Sequence, residues 1–464
     1  MIDVDEVLRG VPPFEKFLSV SELAALAQRL GGESPEFEVR VAGMSAEGRP
    51  IHHIRVGHGR VKALIVGFIH PNEPIGALTV VSLLTLLKDR QTSLGQADIE
   101  WHVVPCIDPD GAALNEGWSQ QGFSVDRYLR NCHRQAARDQ VEASFPIQYK
   151  RLSFDQPTQE TRVLQSLMER IRPDFYCPLH NTSWSGAFYL LSRDLGQDCY
   201  AQLYALLERY RIPMQPRLPG IGGLAEFGPG VSELVGIRQL YALLEKTEPH
   251  PEEVLQFGAI SSDYAAQVND QVLTLIVELP YVRHPDIGSP AATGQNARRL
   301  RLRIDAEIKY FATVILEEWD KTQPDLDPNS PFYRKIFHGL IGSRERLPED
   351  VLGFEYSYTL RDLLFNPEYS RIATAGDRFN VYSLWLIVLC QGYEFVRLLA
   401  ASKQTPAVVS ALGRLESVVR EAVAEIERNI SFDEFEPIDL RALASAQLGS
   451  ALIVLNSLLG SSLQ

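Results

Sequence analysis

Cysteine is scarce in this chain, and its pattern excludes two kinds of structure. Five cysteines occur among 464 residues, an odd number without paired spacing: Cys106, Cys132, Cys177, Cys199 and Cys390. A disulfide framework or a zinc site built from cysteines would show paired spacings, so both are excluded. Unpaired thiols are typical of proteins in a reducing compartment. We therefore expect a cytoplasmic protein.

Basic residues are also in deficit. The chain has 45 Lys and Arg against 59 Asp and Glu, which gives a formal net charge of −14. Nucleic acids and anionic membranes bind clustered cations, so neither is expected as a partner. Residues 1–6 are acidic and lack the features of a signal peptide, and the apolar run 384–390 is too short to span a membrane. These absences predict a soluble protein.

The remaining composition indicates a globular chain with more than one part. A length of 464 residues predicts two or three domains. Hydrophobic residues make up 45% and charged residues 22% of the chain, which is typical of a globular protein. Up to residue 321, apolar strand-like runs alternate with helical segments. This alternation predicts an α/β domain with a mixed, mostly parallel central sheet flanked by helices.

A change of pattern follows at residues 322–331, which contain three prolines and read as a linker. Beyond it, apolar residues recur at helical spacing, most clearly over 381–399, 407–428 and 440–459. We therefore predict an all-α domain over 332–464, of unknown role. It is a candidate for capping a cleft, for forming a homo-oligomer or for recognising a partner.

A histidine and a carboxylate follow one of the strongly apolar strands. Residues 63–69 are apolar, as expected of a strand buried on both faces, and 78–87 have helical spacing. His70 and Glu73 lie in the loop between them, where ligands of α/β sheets gather. Imidazole nitrogen and carboxylate oxygen suit zinc. The pair alone is a weak signal, because Glu73 could simply complement the dipole of the following helix.

Two further strand ends carry side chains of the same kind. His180 follows the apolar run 175–179, and Glu278 follows the run 273–277. We expect both to converge with the first pair, because carboxyl ends of parallel strands meet at one edge. Two histidines and a glutamate with an open fourth position make a catalytic zinc site, in which Glu278 would be the general base. Read singly, His180 fits a core histidine better, whereas a glutamate directly after a buried strand is costly unless it is used.

Taken in order, these motifs resemble those of the M14 family of zinc carboxypeptidases over residues 1 to about 321. The resemblance rests on five segments: 43–51, the His-Pro-Asn-Glu of 70–73, the Asp-Pro-Asp-Gly of 108–111, His180 with Asn181 and Ser183, and Val277-Glu278-Leu279. Five motifs in the family's order are specific. The resemblance implies a zinc-carboxypeptidase-like fold and one zinc ion.

The resemblance also implies roles for particular residues. His70, Glu73 and His180 would hold the zinc ion, and Glu278 would accept a proton from the attacking water and pass it to the leaving amine. An arginine should stabilise the developing oxyanion, and Arg127 is the candidate.

Residues that bind substrate are less easily matched. The family's adjacent Asn-Arg pair is absent, and Asn131 with Arg134 is the best match for gripping the substrate carboxylate, with Arg130 as an alternative. Tyr264 stands in for the tyrosine usual upstream of the catalytic glutamate, and it could equally shape the specificity pocket or pack in the core. Asn72 replaces an arginine of the family, which marks it as the place to look for an unusual substrate.

The expected activity is that of a zinc-dependent carboxypeptidase, a hydrolase that cleaves the C-terminal amide bond of a peptide or peptide-like substrate. One alternative is an N-acyl amino acid amidohydrolase that resembles succinylglutamate desuccinylase or aspartoacylase and uses the same zinc and glutamate. A third is a catalytically inactive module that only binds a peptide. Because all four predicted metal and base residues are present, the inactive module is the least favoured.

Overall fold

A computed structural model describes residues 1–89, 91–216, 225–246, 248–341 and 367–461. The described strands are β1 (Phe37–Met44), β2 (Pro50–Val56), β3 (Val61–Val66), β4 (Ile99–Val104), β5 (Ile147–Tyr149), β6 (Leu152–Phe154), β7 (Phe175–Thr182), β8 (Phe188–Leu191), β9 (Glu226–Gly228), β10 (Val231–Glu233), β11 (Leu273–Pro280), β12 (Val282–Arg283), β13 (Ala292–Asn296), β14 (Ile372–Thr374) and β15 (Glu436–Pro437).

The described α-helices are α1 (Val4–Arg9), α2 (Val20–Glu33), α3 (Ile75–Leu86), α4 (Pro109–Leu114), α5 (Glu116–Ser119), α6 (Val125–Asn131), α7 (Gln159–Ile171), α8 (Gln197–Arg209), α9 (Ile237–Leu244), α10 (Pro251–Val254), α11 (Ser261–Val268), α12 (Ala297–Thr322), α13 (Pro331–Ile336), α14 (Ala375–Ala401), α15 (Pro406–Asn429) and α16 (Leu440–Ser461).

Nine of these strands form one sheet in the order β1-β2-β4-β3-β7-β11-β8-β10-β9. The central strands β4, β3, β7 and β11 are parallel neighbours, whereas β1 and β2 pair antiparallel at one edge and β8 runs antiparallel to β11. The predicted mixed sheet flanked by helices is confirmed. Because β3, β7 and β11 are adjacent and parallel, their carboxyl ends lie side by side.

Helix α3 shows why the C-terminal region belongs to the same fold. It is apolar on all sides, and its residues from Ile75 to Val80 are buried. A helix without a polar face must be covered on both sides. The sheet covers one side through β3 and β7, and α16 packs against the other.

The C-terminal helices share a hydrophobic core with the α/β region. One cluster of buried apolar side chains includes Ile65 of β3 and Leu78 of α3 together with Leu386 of α14 and Leu452 of α16. Helix α14 contacts α6, α12, α13 and α15. The helical character predicted after residue 331 is confirmed for the described part, while 342–366 and 462–464 lie outside the described residues. The division into two domains at 322–331 stays a prediction.

Two helices are long and apolar enough to cross a membrane by length and composition alone. They span Ala375–Ala401 and Leu440–Gly460, and 67% and 72% of their apolar windows are buried within the protein. Core helices of soluble proteins pass the same test, so this is weak evidence. The expectation that no membrane is involved stays a prediction.

Candidate metal centre

Three neighbouring strand ends bring the predicted polar residues together. His70 and Glu73 lie between β3 and α3, His180 lies on β7, and Glu278 lies on β11 directly opposite His180 in the strand register. His180 Nδ1 is 3.2 Å from Glu73 Oε2 and 3.7 Å from Glu278 Oε1. The rings of His70 and His180 lie 4.9 Å apart. The predicted convergence of these four residues is what the structure shows.

Close packing of α3 on β7 brings Glu73 down to His180. A Cβ atom on Gly76 would lie 2.9 Å from the Cβ of Leu179, so only glycine permits this approach. Asn181 then joins the two elements, because its Oδ1 accepts from Ile75 N at 3.0 Å and its own backbone N–H donates to Glu73 Oε2 at 3.1 Å. The turn that carries Glu73 is therefore held against the strand that carries His180.

A buried glutamate that the sequence analysis missed lies against both histidines. Glu142 Oε2 is 2.8 Å from Nε2 of His70 and 3.1 Å from Nε2 of His180. Its other oxygen, Oε1, accepts from the hydroxyl of Ser261 at 3.1 Å. Glu142 thus lies against the Nε2 atoms of both rings. Nδ1 of His180 faces Glu73 and Glu278, and Nδ1 of His70 is buried without a hydrogen-bond partner among the described residues.

The side chains offer a metal ion two ligand sets. His70, Glu142 and His180 each place one donor atom within 4.8 Å of the others, which is one candidate set. The predicted set instead combines His70 and His180 with Glu73, whose Oε2 lies 3.2 Å from Nδ1 of His180, and leaves Glu142 behind the rings. A carboxylate behind a ligating histidine is common at zinc sites, because it fixes the ring and its tautomer. Nδ1 of His70 and Nε2 of His180 are both buried without a hydrogen-bond partner among the described residues, so each arrangement gives one of these nitrogens a ligand.

The electrostatics show that the cluster is balanced by positive charge. Burial raises the pKa of Glu142, but the opposing effect of His180 and His70 is larger, so the pKa of Glu142 lies well below its usual range. Burial also raises the pKa of Glu73, and the opposing effect of the same two histidines is again larger, so the pKa of Glu73 is lowered. The Glu142 and Glu73 carboxylates in turn raise the pKa of His180 well above its usual value, against the effect of burial.

By contrast, burial together with Arg134 lowers the pKa of His70. The cluster thus places the two buried carboxylates of Glu73 and Glu142 beside two imidazoles and Arg134. Histidine and carboxylate ligands bind a divalent cation in their deprotonated forms, so a metal ion would displace protons from these groups. The residues present therefore fit the implied zinc ion.

Arg134 is the predicted substrate-binding residue that reaches the cluster. Its Nη1 lies 3.2 Å from Glu73 Oε1, and a third of its side chain (33%) is exposed. It can therefore contact both the site and a molecule arriving from solvent. Glu278 is also partly open, with 16% of its side chain exposed.

Three other predicted residues are not brought to this cluster in the part of the chain that the structure describes. The guanidinium of Arg127 donates to the carbonyls of Gln121 and Gly122. Asn131 donates from Nδ2 to the carbonyl of Arg127, one turn back in α6. Local backbone acceptors thus hold both side chains, and their functional roles stay predictions.

Tyr264 is the third of them. Its hydroxyl donates to Glu169, and its ring stacks on Phe145 in a second hydrophobic cluster. This is the packing role that the sequence left open for it. Arg130, the alternative to Arg134, pairs with Asp126 on the exposed face of α6.

Asn72, which replaces an arginine of the M14 family, has a buried side chain. Its Nδ2 donates to the hydroxyl of Tyr128 at 3.1 Å, and its carbonyl accepts from the hydroxyl of Tyr281 at 2.6 Å. These two tyrosines belong to an aromatic cluster with Trp118 and Trp184. The residue between the two predicted metal ligands thus anchors their loop to the core.

Comparison with known proteins agrees with this geometry. Residues 23–185 match the family model described as zinc carboxypeptidase. The predicted resemblance to this family is confirmed. No curated protein sequence matches the chain.

Solved structures with a similar fold include several carboxypeptidases. Carboxypeptidase A from Helicoverpa armigera is 16% identical, with a TM-score of 0.37 over 60% of this chain and 71% of its own. A metallo-carboxypeptidase from Burkholderia cenocepacia is 16% identical, with a TM-score of 0.33 over 55% and 59%. Bovine thrombin-activatable fibrinolysis inhibitor, in complex with tick carboxypeptidase inhibitor, is 12% identical, with a TM-score of 0.33 over 58% and 87%. At these values the likeness assigns no residue role in this chain.

The matched segment covers His70, Glu73, Glu142 and His180, and Glu278 lies beyond it. Glu142 had only a general signal in the sequence. It lies in the polar stretch 112–157, which is longer than ordinary connections, and such loops are usually functional. Nothing in its sequence neighbours distinguishes this glutamate from the exposed ones, because its partners come from the loop after β3, from β7 and from α11.

Proposed function

We propose that this chain is a zinc-dependent metallocarboxypeptidase that hydrolyses the C-terminal amide bond of a peptide or peptide-like substrate. The observation that carries the proposal is the meeting of His70, Glu73, His180 and Glu278 at three adjacent strand ends. The match of residues 23–185 to the zinc carboxypeptidase family supports it.

The residues of the site divide the work as follows. A zinc ion held by His70, Glu73 and His180 would polarise the scissile carbonyl and lower the pKa of a water molecule. Glu278, on the Nδ1 side of His180, would act as the general base that accepts a proton from the attacking water and passes it to the leaving amine. Glu142 keeps the two imidazoles turned toward the metal.

Arg134 recognises the substrate in this scheme. Its guanidinium is a planar fork of donors that matches a carboxylate, and it lies at the partly exposed edge of the site. A free C-terminal carboxylate bound there would bring the last amide bond toward Glu278. Selection for a chain end follows from this placement.

Metal analysis and hydrolysis assays test the proposal. The protein as purified should contain about one zinc ion per chain and should hydrolyse N-benzoylglycyl amino acids with a free carboxylate, but not their amides. Glu278→Gln should keep its zinc and lose activity by about 10²-fold or more. Full activity of this variant with zinc bound would refute the general-base role. Zinc binding without hydrolysis of any substrate would favour the inactive peptide-binding module.

One observation favours a second activity, that of an N-acyl amino acid amidohydrolase. The half-buried Lys335 of α13 lies with its Nζ 3.4 Å from the carbonyl of Gln135, next to Arg134. Burial lowers the pKa of Lys335, and the nearby charge of Arg134 lowers it further against the effect of Glu394. A second cation beside Arg134 suits a substrate with two carboxylates. Hydrolysis of N-acyl amino acids such as N-succinyl-glutamate, with none of the peptides, would establish this activity instead.

The cytoplasm is the proposed location. All five cysteines are buried and free, as expected of a protein kept in a reducing compartment. Labelling of the denatured protein from cells with a thiol reagent should find five free thiols. Recovery of disulfide-linked peptides would contradict the proposal.

A further inference from the structure

The C-terminal helices α14 and α16 are apolar, yet each carries polar side chains that bond to segments next to the candidate metal centre. We propose that Glu394 and Arg397 of α14 and Gln447 of α16 are positioning residues that hold the Arg134 segment and His180 in place. The proposal rests on the hydrolytic function proposed above. It assigns a role to a helical region that the match over residues 23–185 does not include.

Arg397 determines the path of the chain just before Arg134. Its Nη1 donates to the carbonyl of Asn131 at 3.2 Å, and its Nη2 donates to the carbonyl of Cys132. The guanidinium lies over the ring of Phe332 from α13, 4.3 Å from its centroid. A planar fork that engages two consecutive carbonyls fixes the orientation of both peptide units.

Glu394 holds the next residue along. Its Oε1 lies 2.7 Å from Nδ1 of His133, and only 2% of either side chain is exposed. The backbone of His133 is held separately, because its N–H donates to Asn115 Oδ1 at 2.9 Å and its carbonyl accepts from Asn115 Nδ2 at 2.8 Å. The three residues before Arg134 are thus tied to α14 and Asn115. This leaves the Arg134 side chain as the part of the segment that extends to Glu73.

Gln447 acts on the opposite side of the site. Its Nε2 donates to the backbone carbonyl of His180 at 2.7 Å, and its Oε1 accepts from the hydroxyl of Thr79 on α3 at 2.8 Å. The side chain is fully buried in an otherwise apolar helix, where an amide is costly unless both ends are bonded. Gln447 therefore joins the helix that follows Glu73 to the strand that carries His180.

Arg397→Met tests the first contact. We expect KM for N-benzoylglycyl-phenylalanine to rise about tenfold with kcat within threefold, because misplacing Arg134 removes binding common to substrate and transition state. Arg397→Lys should restore part of the loss. The matched control is Arg378→Met at the other end of α14, where Arg378 pairs with Asp286. Unchanged KM in Arg397→Met, or an equal rise in the control, would overturn the proposal.

Amide hydrogen exchange separates this inference from the proposed activity. In Arg397→Met, exchange at residues 131–134 should be faster than in wild type, while Arg378→Met should leave it unchanged. If the wild-type protein hydrolyses neither the N-benzoylglycyl amino acids nor the N-acyl amino acids, the proposed function fails. The positioning role is then tested by amide hydrogen exchange alone. Equal exchange in wild type and Arg397→Met would refute that role whether or not the protein is active.

Gln447→Leu tests the second contact through metal binding. We expect zinc affinity, measured by competition with a chelator, to fall by roughly an order of magnitude, as for other groups that support metal ligands. Asn456→Leu is the matched control, because this amide on the same helix bonds both backbone groups of Ile2. Wild-type zinc affinity in Gln447→Leu would contradict the role of Gln447.

Discussion

At the scale of single residues, the orientation of two imidazole rings decides what the site can bind. Each ring has two nitrogens, and one Glu142 oxygen engages Nε2 of both His70 and His180. The opposite nitrogens are thereby directed toward Glu73 and Glu278 or left without a partner. A single carboxylate thus lies against the same nitrogen of both histidines and would leave the opposite nitrogens for a metal ion.

Replacing Glu142 by Gln should weaken zinc binding by about 10- to 100-fold, because the rings lose the charged group that orients them and increases their basicity. Chelator competition would measure the change. Glu160→Gln serves as the control, since this buried glutamate accepts from the backbone of Ala46 away from the site. If Glu142 were itself a ligand of the metal, its loss would remove binding almost entirely rather than weaken it.

At the scale of secondary-structure elements, the antiparallel edge of the sheet contains a buried pair of histidines. His53 of β2 and His102 of β4 lie with Nε2 and Nδ1 3.0 Å apart, and His102 Nε2 contacts Glu100 at 2.9 Å. Burial, with the nearby charges of His102 and several arginines, lowers the pKa of His53 from 6.5 to about 3. Burial also lowers the pKa of His102. The folded protein therefore needs both rings neutral.

Stability should fall as the pH falls below about 6.5, because the unfolded chain takes up a proton that folded His53 refuses until about pH 3. The contribution is fully present above 6.5 and declines by up to about 1.4 kcal/mol per pH unit below it. Urea unfolding between pH 7 and pH 4 would show a shallower decline in His53→Gln. The exposed His58→Gln should behave as wild type, and equal slopes in all three proteins would contradict the assignment.

The close packing of α3 on β7 predicts opposite changes in the free energy of unfolding for two glycine-to-alanine substitutions. Gly76→Ala should destabilise the protein by about 1–3 kcal/mol, because the new methyl group would overlap Leu179 and push the Glu73 turn away from His180. Gly413→Ala in α15 meets nothing within 4 Å and should instead stabilise the protein by about 0.5–1 kcal/mol. Denaturant unfolding measures both. A stabilising effect of Gly76→Ala would mean that this close approach is wrong.

At the scale of the whole molecule, the helical region and the sheet depend on each other. Helix α3 is covered by α16, and the hydrophobic cluster runs from β3 through α3 to α14 and α16 without a break. Burial of that apolar surface is the main source of stability for both parts. The C-terminal region is therefore needed to cover the elements that hold the site.

Calorimetry of the full chain should show one cooperative unfolding transition, because neither part can bury its apolar surface alone. Removal of residues 440–464 should give an insoluble protein, since it exposes the apolar outer side of α3. Because this truncation keeps α12 to α15, it isolates the effect of α16. Two well-separated transitions would show that 322–331 divides independent domains.

The sequence by itself determined the three buried strands that carry the site, the order of the motifs and the four residues that meet at the strand ends. It could do so because a buried parallel strand is continuously apolar and its carboxyl end is the edge where ligands gather. It also predicted the helical C-terminal region, since apolar spacing of three and four residues is local information.

Only the tertiary structure decided what supports those residues. Glu142 meets His70 and His180 across 72 and 38 positions of sequence, while Glu394 and Gln447 act on His133 and His180 from helices more than 250 residues away. It also turned Arg127 toward nearby backbone carbonyls and Tyr264 toward Glu169 and Phe145. No local pattern specifies such contacts, because they depend on which elements pack together. His70, Glu73, His180 and Glu278 could be named from the sequence, but Glu142 and the orientation of the histidine rings came from the fold.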